Sequence, residues 1–268
     1  MKFNKICTYY YSPTGTTQTI VEKIAEGTGA QPIDVISNNI TYPEWQESLV
    51  EPGKGDLVII GAPVYAGRIA ITAIERLEKI NFSENPVVLV AVYGNRDYDD
   101  SLVELKEFAA KNELRPLAAG AFIGEHSYST SRDPIGHGRP DANDKELAHD
   151  FGRKIIEKLE KLNEESGISE LEVPGTFPLP DRKVLPPVFA ETVQERCIKC
   201  GICQTVCPTG AVYFKKGYHT HENLCTLCCA CIKACKQNAR VVKSDHLRKV
   251  REWLLSICTT RREPETFF

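Results

Sequence analysis

Nine of the eleven cysteines lie between Cys197 and Cys235, eight of them in two runs of one spacing. The first reads Cys197-x2-Cys200-x2-Cys203-x3-Cys207-Pro208, the second Cys225-x2-Cys228-x2-Cys231-x3-Cys235. A thiolate at every third position lets one short loop grip three corners of an iron–sulfide cube, and a fourth thiolate from a distant segment closes it. In this motif the fourth Cys of each run serves the other cluster. The spacing therefore predicts two [4Fe-4S] clusters, one on Cys197, Cys200, Cys203 and Cys235 and the other on Cys225, Cys228, Cys231 and Cys207. Zinc on two Cys-x2-Cys pairs would leave Cys207, Cys231 and Cys235 in register without a role. A disulfide framework suits a secreted chain, of which there is no other sign. Cys229 breaks the spacing and is expected to be a bystander beside Cys228.

The runs are also an internal repeat. A shift of 28 positions lays Cys197 on Cys225, Cys207 on Cys235 and Ala211 on Ala239, which predicts a pseudo-twofold module whose halves exchange one ligand each. Residues around 190–243 resemble a bacterial two-[4Fe-4S] ferredoxin, and the resemblance implies a small α+β domain. One departure stands out. The first run ends Cys207-Pro208, as in that family, and the second ends Cys235-Lys236. Proline fixes a turn, so the cluster on Cys225, Cys228, Cys231 and Cys207 is expected to be the more atypical or labile.

A second chemical signal lies near the N-terminus. The apolar run Ile6–Tyr11 is followed by Ser12-Pro13-Thr14-Gly15-Thr16-Thr17 and then by the helical pattern Ile20, Val21, Ile24, Ala25. A strand, a hydroxyl-rich loop and a helix start make an anion site, because free N–H groups and the helix dipole face the ligand. The loop lacks the Gly-Lys-Ser/Thr of a P-loop, so hydroxyls and N–H groups alone suit a single phosphate monoester. A plain hydroxyl-rich helix cap is the simpler alternative. Ser12-x-Thr14-Gly15-x-Thr17 resembles the phosphate loop of flavodoxins, with Ser at a position where Thr is commoner, and implies FMN.

The elements that must position this loop read as strands at Gln31–Ile36, Asp56–Gly61, Val87–Tyr93 and Leu117–Ile123 after the first, with helical patterns at Ile71–Lys79, Ser101–Lys111 and Lys145–Glu165 between or after them. Alternation of five strands with helices predicts a doubly wound parallel five-stranded sheet, whose ligands sit at the C-terminal strand ends. The loops there are Ala62–Arg68 and Gly94–Asp99. They resemble the isoalloxazine loops of flavodoxins, most closely those fused to ferredoxins. That resemblance implies flavin contacts from Pro63, Val64, Tyr65, Gly67, Tyr93, Gly94, Asn95 and Tyr98, in addition to Ser12, Thr14, Gly15, Thr16 and Thr17. Tyr65 and Tyr98 can offer ring faces, and Gly61, Gly67, Gly94 and Asn95 permit close backbone approach. Arg68 is expected to be exposed, with the flavin's N1 side as the alternative.

The long polar loop 124–141 is expected to cover the flavin or dock the second module. His126 within it reads as an ordinary loop histidine, with a proton donor to reduced flavin as the sharper alternative. Residues 166–192 read as a stiff, Pro-rich linker, pinned by Phe177, Leu179, Val184 and Leu185. After the clusters, Asp245–Cys258 has helical spacing, and Arg251, Arg261 and Arg262 are expected on a solvated face, with an acidic partner as the alternative. Cys7 and Cys258 read as packing thiols. The domains are thus 1–165 flavodoxin-like, 166–192 linker, 193–243 ferredoxin-like and 244–268 helix and tail.

With 42% hydrophobic and 26% charged residues the chain is an ordinary folded one, with neither a membrane span nor a signal peptide in its pattern. A reducing cytoplasm is the expected setting. Residues 1–165 carry 18 Lys and Arg against 26 Asp and Glu, and residues 166–268 carry 15 against 10. Oxidised clusters with eight thiolates add roughly −4 to that half, so its basic balance need not mean nucleic acid. Taken together, the halves resemble fusions of a flavodoxin-like domain with a bacterial ferredoxin, and imply electron transfer between clusters that take one electron and an FMN that takes one or two, in an anaerobic setting, with separate donor and acceptor proteins. A flavin-dependent reductase acting directly on a small molecule is the alternative. A nicotinamide-linked version is disfavoured, since no Gly-x-Gly-x-x-Gly follows a strand, and no nucleic-acid partner is expected.

Overall fold

A computed structural model describes residues 3–31, 34–162, 169–182 and 187–268. Three apolar runs become strands buried on both faces: β1 (Ile6–Tyr10), β3 (Leu57–Tyr65) and β5 (Pro86–Tyr93). Such runs suit the centre of a parallel sheet covered by helices. β2 (Val35–Asn39) and β6 (Arg115–Ile123) flank them in the order β2-β1-β3-β5-β6, all parallel. The second strand lies further along the chain than Gln31–Ile36, and Pro32 and Ile33 of that expectation are outside the described residues. Its polar Ser37 and Asn39 fit an edge position, where one side of the strand has no neighbour. A two-residue β4 (Arg68–Ile69) folds back on β3.

Helices α1 (Thr16–Gly27) and α4 (Ala142–Lys161) cover one face, where Ile20, Ile24, Phe122, Phe151 and Ile155 are buried. The helix expected from Lys145 starts earlier because Asp141 and Asp144 form a reciprocal capping box; its expected last residues, 163–165, lie outside the described residues. Gly152 sets the approach of the two helices: a Cβ there would fall 2.1 Å from the Ile24 carbonyl oxygen. Helices α2 (Ile71–Leu77) and α3 (Ser101–Lys111) cover the other face over Tyr9, Ile60, Leu89 and Phe108.

The 28-residue repeat is visible in the second module. A strand, a turn of 3-10 helix, a short helix and a strand occur twice: β7 (Glu191–Thr192), Gln194–Arg196, α5 (Ile202–Thr205) and β8 (Val212–Phe214), then β9 (Tyr218–Thr220), Glu222–Leu224, α6 (Ala230–Lys233) and β10 (Arg240–Val241). β7 pairs with β10 and β8 with β9, so each half is completed by the other. Left-handed backbone recurs in register at Lys199 and Leu227, Gly201 and Cys229, and Gly210 and Asn238.

The described part of the linker runs along α3 of the first domain, through residues other than those expected to pin it. Leu171 is buried in the core and Val173 packs on it, while Phe177 is 72% exposed. Val184 and Leu185 lie outside the described residues. Arg68 corrects the expectation of exposure: its guanidinium pairs with Glu104 at 2.8 Å and donates to the Pro180 carbonyl. The largest surprise is the C-terminus. After α7 (Asp245–Ile257), the tail returns to the first domain as β11 (Glu265–Phe267), antiparallel to β6 with Thr266 opposite Gly120. It covers the sheet edge that β6 would otherwise expose. Among the described residues no helix is long and apolar enough to cross a membrane.

Candidate functional site

The phosphate-loop residues converge at the C-terminal end of β1. Gly15 takes a left-handed φ of 83° at the N-cap of α1, which turns the chain sharply enough to aim the first helical N–H groups into the loop. Of the four N–H groups that a helix start leaves without helical partners, that of Gly15 goes to the Ser12 carbonyl and that of Gln18 to Ser12 Oγ. Those of Thr16 and Thr17 remain for a ligand. Thr17 Oγ1 is buried without a hydrogen-bond partner, and the Ser12 N–H is fixed by Thr41 Oγ1 at 2.8 Å. Unpaired donors around an orphaned buried hydroxyl fit an anion, and with no cationic side chain in the loop they fit a phosphate monoester.

The other loops expected at the flavin divide. Pro63, Val64 and Tyr65 end β3 on the side of the second module. Tyr65 is half-buried, and its hydroxyl is held well above its ordinary pKa by burial, then by nearby Cys228, Tyr11, Cys229 and Tyr128. Gly67 packs on Asp99, where a Cβ would fall 2.5 Å from a carboxylate oxygen, and Gly94 packs on the His126 ring, where a Cβ would fall 2.3 Å from Cδ2. Gly94 is thus approached by this chain's own imidazole. Asn95 and Tyr98 are met by the tail. Asn95 Nδ2 donates to the Thr260 carbonyl at 3.0 Å and its Oδ1 accepts the Arg262 N–H. The Tyr98 ring is buried against Tyr93 at 5.5 Å and its hydroxyl donates to Glu265 at 3.0 Å. Tyr98 is therefore packed under the C-terminal strap, and the tyrosines nearest the second module are Tyr65 and Tyr128, the latter with its ring 4.9 Å from that of His126. The Tyr93 hydroxyl is buried and unpaired, with its pKa pushed up to about 12 by burial.

His126 is neutral near pH 7. Burial, then Lys233 and Arg96, lower its pKa to about 4, and Nδ1 accepts the Tyr128 N–H at 3.0 Å, which leaves the ring proton on Nε2. It holds no acidic proton at neutral pH. The loop around it docks the second module: Glu125 pairs with Lys233 at 2.9 Å and Asp133 with Arg251 at 3.4 Å. Arg261 pairs with Asp141 at 2.6 Å, and Arg139, which also pairs with buried Asp144, donates to the Arg262 carbonyl. Arg261 and Arg262 stay exposed, as expected, while Arg251 and Arg261 also pair with acids. The acidic partner of Arg251 and Arg261 is the chain's own first domain.

The eight cysteines separate into two groups. Cys197, Cys200, Cys203 and Cys235 line one cavity of about 300 Å³. Cys207, Cys225, Cys228 and Cys231 line another of about 350 Å³, with Cys229 at its wall. Among the described residues no three His, Cys, Asp or Glu side chains converge closely enough to hold one metal ion. Thiols spread around a cavity fit a polynuclear group. Burial pushes the Cys203 thiol up to about 11 and the Cys228 thiol up to about 12, so binding iron there requires proton release. Cys229 occupies the place of Gly201 in the repeat, with a left-handed φ of 62°, and its thiol donates to the Leu227 carbonyl at 3.4 Å. Cys7 is a core thiol, its pKa pushed up to about 12 by burial and by Asp56.

One residue escaped the sequence reading. Arg240 is 2% exposed and lines both cavities. It donates to the Ala190 carbonyl at 2.9 Å and to the hydroxyls of Thr192 and Thr220 at 2.6 Å, and lies 3.8 Å from Cys231 Sγ. Its repeat equivalent is Val212, so a cation at an apolar position was the available signal. On the docking side, Arg76 donates to the Pro208 carbonyl next to Cys207, and the buried Tyr11 hydroxyl lies beside that of Thr226. The second cavity therefore faces the strand ends of the first domain, and the first faces away.

A flavodoxin-domain model matches residues 7–132 and a 4Fe-4S binding-domain model residues 190–213. An uncharacterized ferredoxin of Methanocaldococcus jannaschii is 41% identical over 59 residues, which is 19% of this chain and 37% of that protein. The chain thus spans little more than a third of that relative's length. Among solved structures, an archaeal flavodoxin is 15% identical, with a TM-score of 0.37, over 58% of this chain and 99% of its own. Oxidised flavodoxin 2 from Bacillus cereus is 17% identical, with a TM-score of 0.43, over 57% and 99%. Rubredoxin oxygen:oxidoreductase from Desulfovibrio gigas is 16% identical, with a TM-score of 0.40, over 58% and 37%. A flavodoxin domain implies a flavin and a 4Fe-4S domain implies an iron–sulfur cluster. The chain joins an N-terminal flavodoxin domain to a C-terminal 4Fe-4S binding domain, a combination that supports electron transfer in general.

Proposed function

We propose that this chain is an intramolecular electron relay that carries FMN in its first domain (1–165) and two [4Fe-4S] clusters in its second (193–243), and that couples one-electron to two-electron redox partners. When bound, the clusters supply single-electron exchange and the flavin exchange of one or two electrons. Ser12, Thr14, Gly15, Thr16 and Thr17 bind the phosphate. Pro63, Val64 and Tyr65 shape the flavin edge that meets the second module, and His126 presents a fixed neutral N–H beside it. The thiols of Cys197, Cys200, Cys203 and Cys235 form the outer cluster site, and those of Cys207, Cys225, Cys228 and Cys231 the inner one.

The observation that carries this reading is the burial of the Cys207–Cys231 cavity against Tyr11 and Tyr65, with the opposite cavity at the surface. Electron transfer falls off steeply with distance, so a relay needs one site beside the flavin and one within reach of a partner. Linker residues 169–182 and the tail 244–268 hold that geometry from both ends. Anaerobic purification followed by iron, sulfide and flavin analysis tests it. About eight iron, eight sulfide and one FMN per chain are expected from the motif. Zinc in place of iron, or no flavin, would remove the relay. Reoxidation of the reduced chain by a protein acceptor and by no small molecule would separate a carrier from a reductase.

A further inference from the structure

Resting on that relay, we propose that the surface around Cys200 is the docking face for an acidic, one-electron redox protein that donates to the outer cluster. The pseudo-twofold of the second module supplies the argument. Thr226, Leu227, Cys228, Cys229 and Ala230 form the face that docks against the first domain, with Cys228, Cys229 and Ala230 buried. The same shift of 28 residues maps it onto Ile198, Lys199, Cys200, Gly201 and Ile202. That second face is open: Cys200 is exposed, and Ile198 and Ile202 are 65% and 43% exposed. Large apolar side chains beside a redox site, left bare at the copy of a face already used for docking, mark an interaction surface.

Charge selects the occupant. On the docked side Lys233 is engaged within the chain by Glu125, and Arg240, between the two cavities, is held by Ala190, Thr192 and Thr220. Around the open face Arg196, Lys199 and Lys236 each follow or precede a thiol of the outer set, against the single acid Glu195. Lys199 and Lys236 are exposed and make no ion pair among the described residues. The internal precedent is the first domain, net −8 over residues 1–165. An apolar centre with a cationic rim and little buried area suits a transient complex whose speed comes from steering. One electron passes from the reduced donor to the outer cluster, with no bond made or broken.

The test is the rate at which a reduced, acidic [2Fe-2S] ferredoxin bleaches the loaded, full-length chain, measured against ionic strength. The wild type should react quickly at low salt and slow as salt rises. Lys199→Glu with Lys236→Glu should slow the reaction about tenfold at low salt and flatten its salt dependence, and the corresponding Gln pair should fall between. Reduction by the small methyl viologen cation radical should not slow in either variant. Equal rates and salt slopes in wild type and variants would overturn the proposal. So would a wild type reduced by methyl viologen but not by the acidic protein, or reduced faster by a basic donor. Iron and flavin counts on each sample come first, and a shortfall in the wild type counts against the relay itself.

Discussion

Replacing Arg240 with glutamine removes a positive charge from between the two thiol-lined cavities. The guanidinium is 2% exposed and 3.8 Å from Cys231 Sγ, with no carboxylate among its partners to offset it. It therefore favours the addition of an electron on either side. A unit charge about 6 Å from an added electron, at an effective dielectric of about 20, stabilises it by ~3 kcal/mol. For a one-electron couple that corresponds to roughly 130 mV. Arg240→Gln should lower both cluster potentials by up to that amount, more for the set containing Cys231. Arg240→Lys should retain most of the potential while losing the forked contacts to Thr192, Thr220 and Ala190. Anaerobic redox titration followed by electron paramagnetic resonance reads both potentials, with iron counts to show that the clusters are retained. A shift under about 20 mV at both clusters, or ~0.5 kcal/mol, or any upward shift, would refute the reasoning.

Three further outcomes are expected. Cys229→Gly should keep the iron count and raise stability by about 1 kcal/mol, since a left-handed non-glycine residue is strained by roughly that much; loss of iron would make Cys229 a ligand, and denaturant unfolding checks the energy. His126, with a folded pKa of about 4 against 6.5 when unfolded, binds its proton more weakly in the native state. Its contribution is thus present above pH 6.5 and is lost as pH falls towards 4, by about 3 kcal/mol in all, and His126→Gln should flatten that part of the stability profile. Removing residues 259–268 takes away β11, the ties to Asn95 and the Arg261–Asp141 pair; the shortened chain should retain iron and flavin but pass electrons between them at least about tenfold more slowly, as expected when positioning is lost, and an unchanged rate would show that the strap positions nothing.

Much of this site was legible because its signals are local. The cysteine spacing, the 28-residue shift and the hydroxyl-rich turn after Ile6–Tyr11 each sit within a few dozen residues, and central strands buried on both faces announce themselves as apolar runs. Long-range pairings do not. Glu265 meets Ala121 across the sheet, and Asn95 meets Thr260; no periodicity in a three-residue strand foretells its partner. The same distance hid the roles of Tyr98 and Arg68, whose residue types fitted a flavin face and a solvated loop until the tail and Glu104 came alongside. Arg240 lay closer to view. It is a charge where its repeat partner is Val212, and the repeat was already aligned.

The central claim is a relay within one chain, and its most direct test is rapid mixing of the loaded protein with a limiting amount of a one-electron donor under anaerobic conditions. Cluster absorbance should bleach first, and a flavin change should follow at a rate independent of protein concentration. Flavin reduction without prior cluster bleaching, or a second phase that speeds up in proportion to protein concentration, would contradict it.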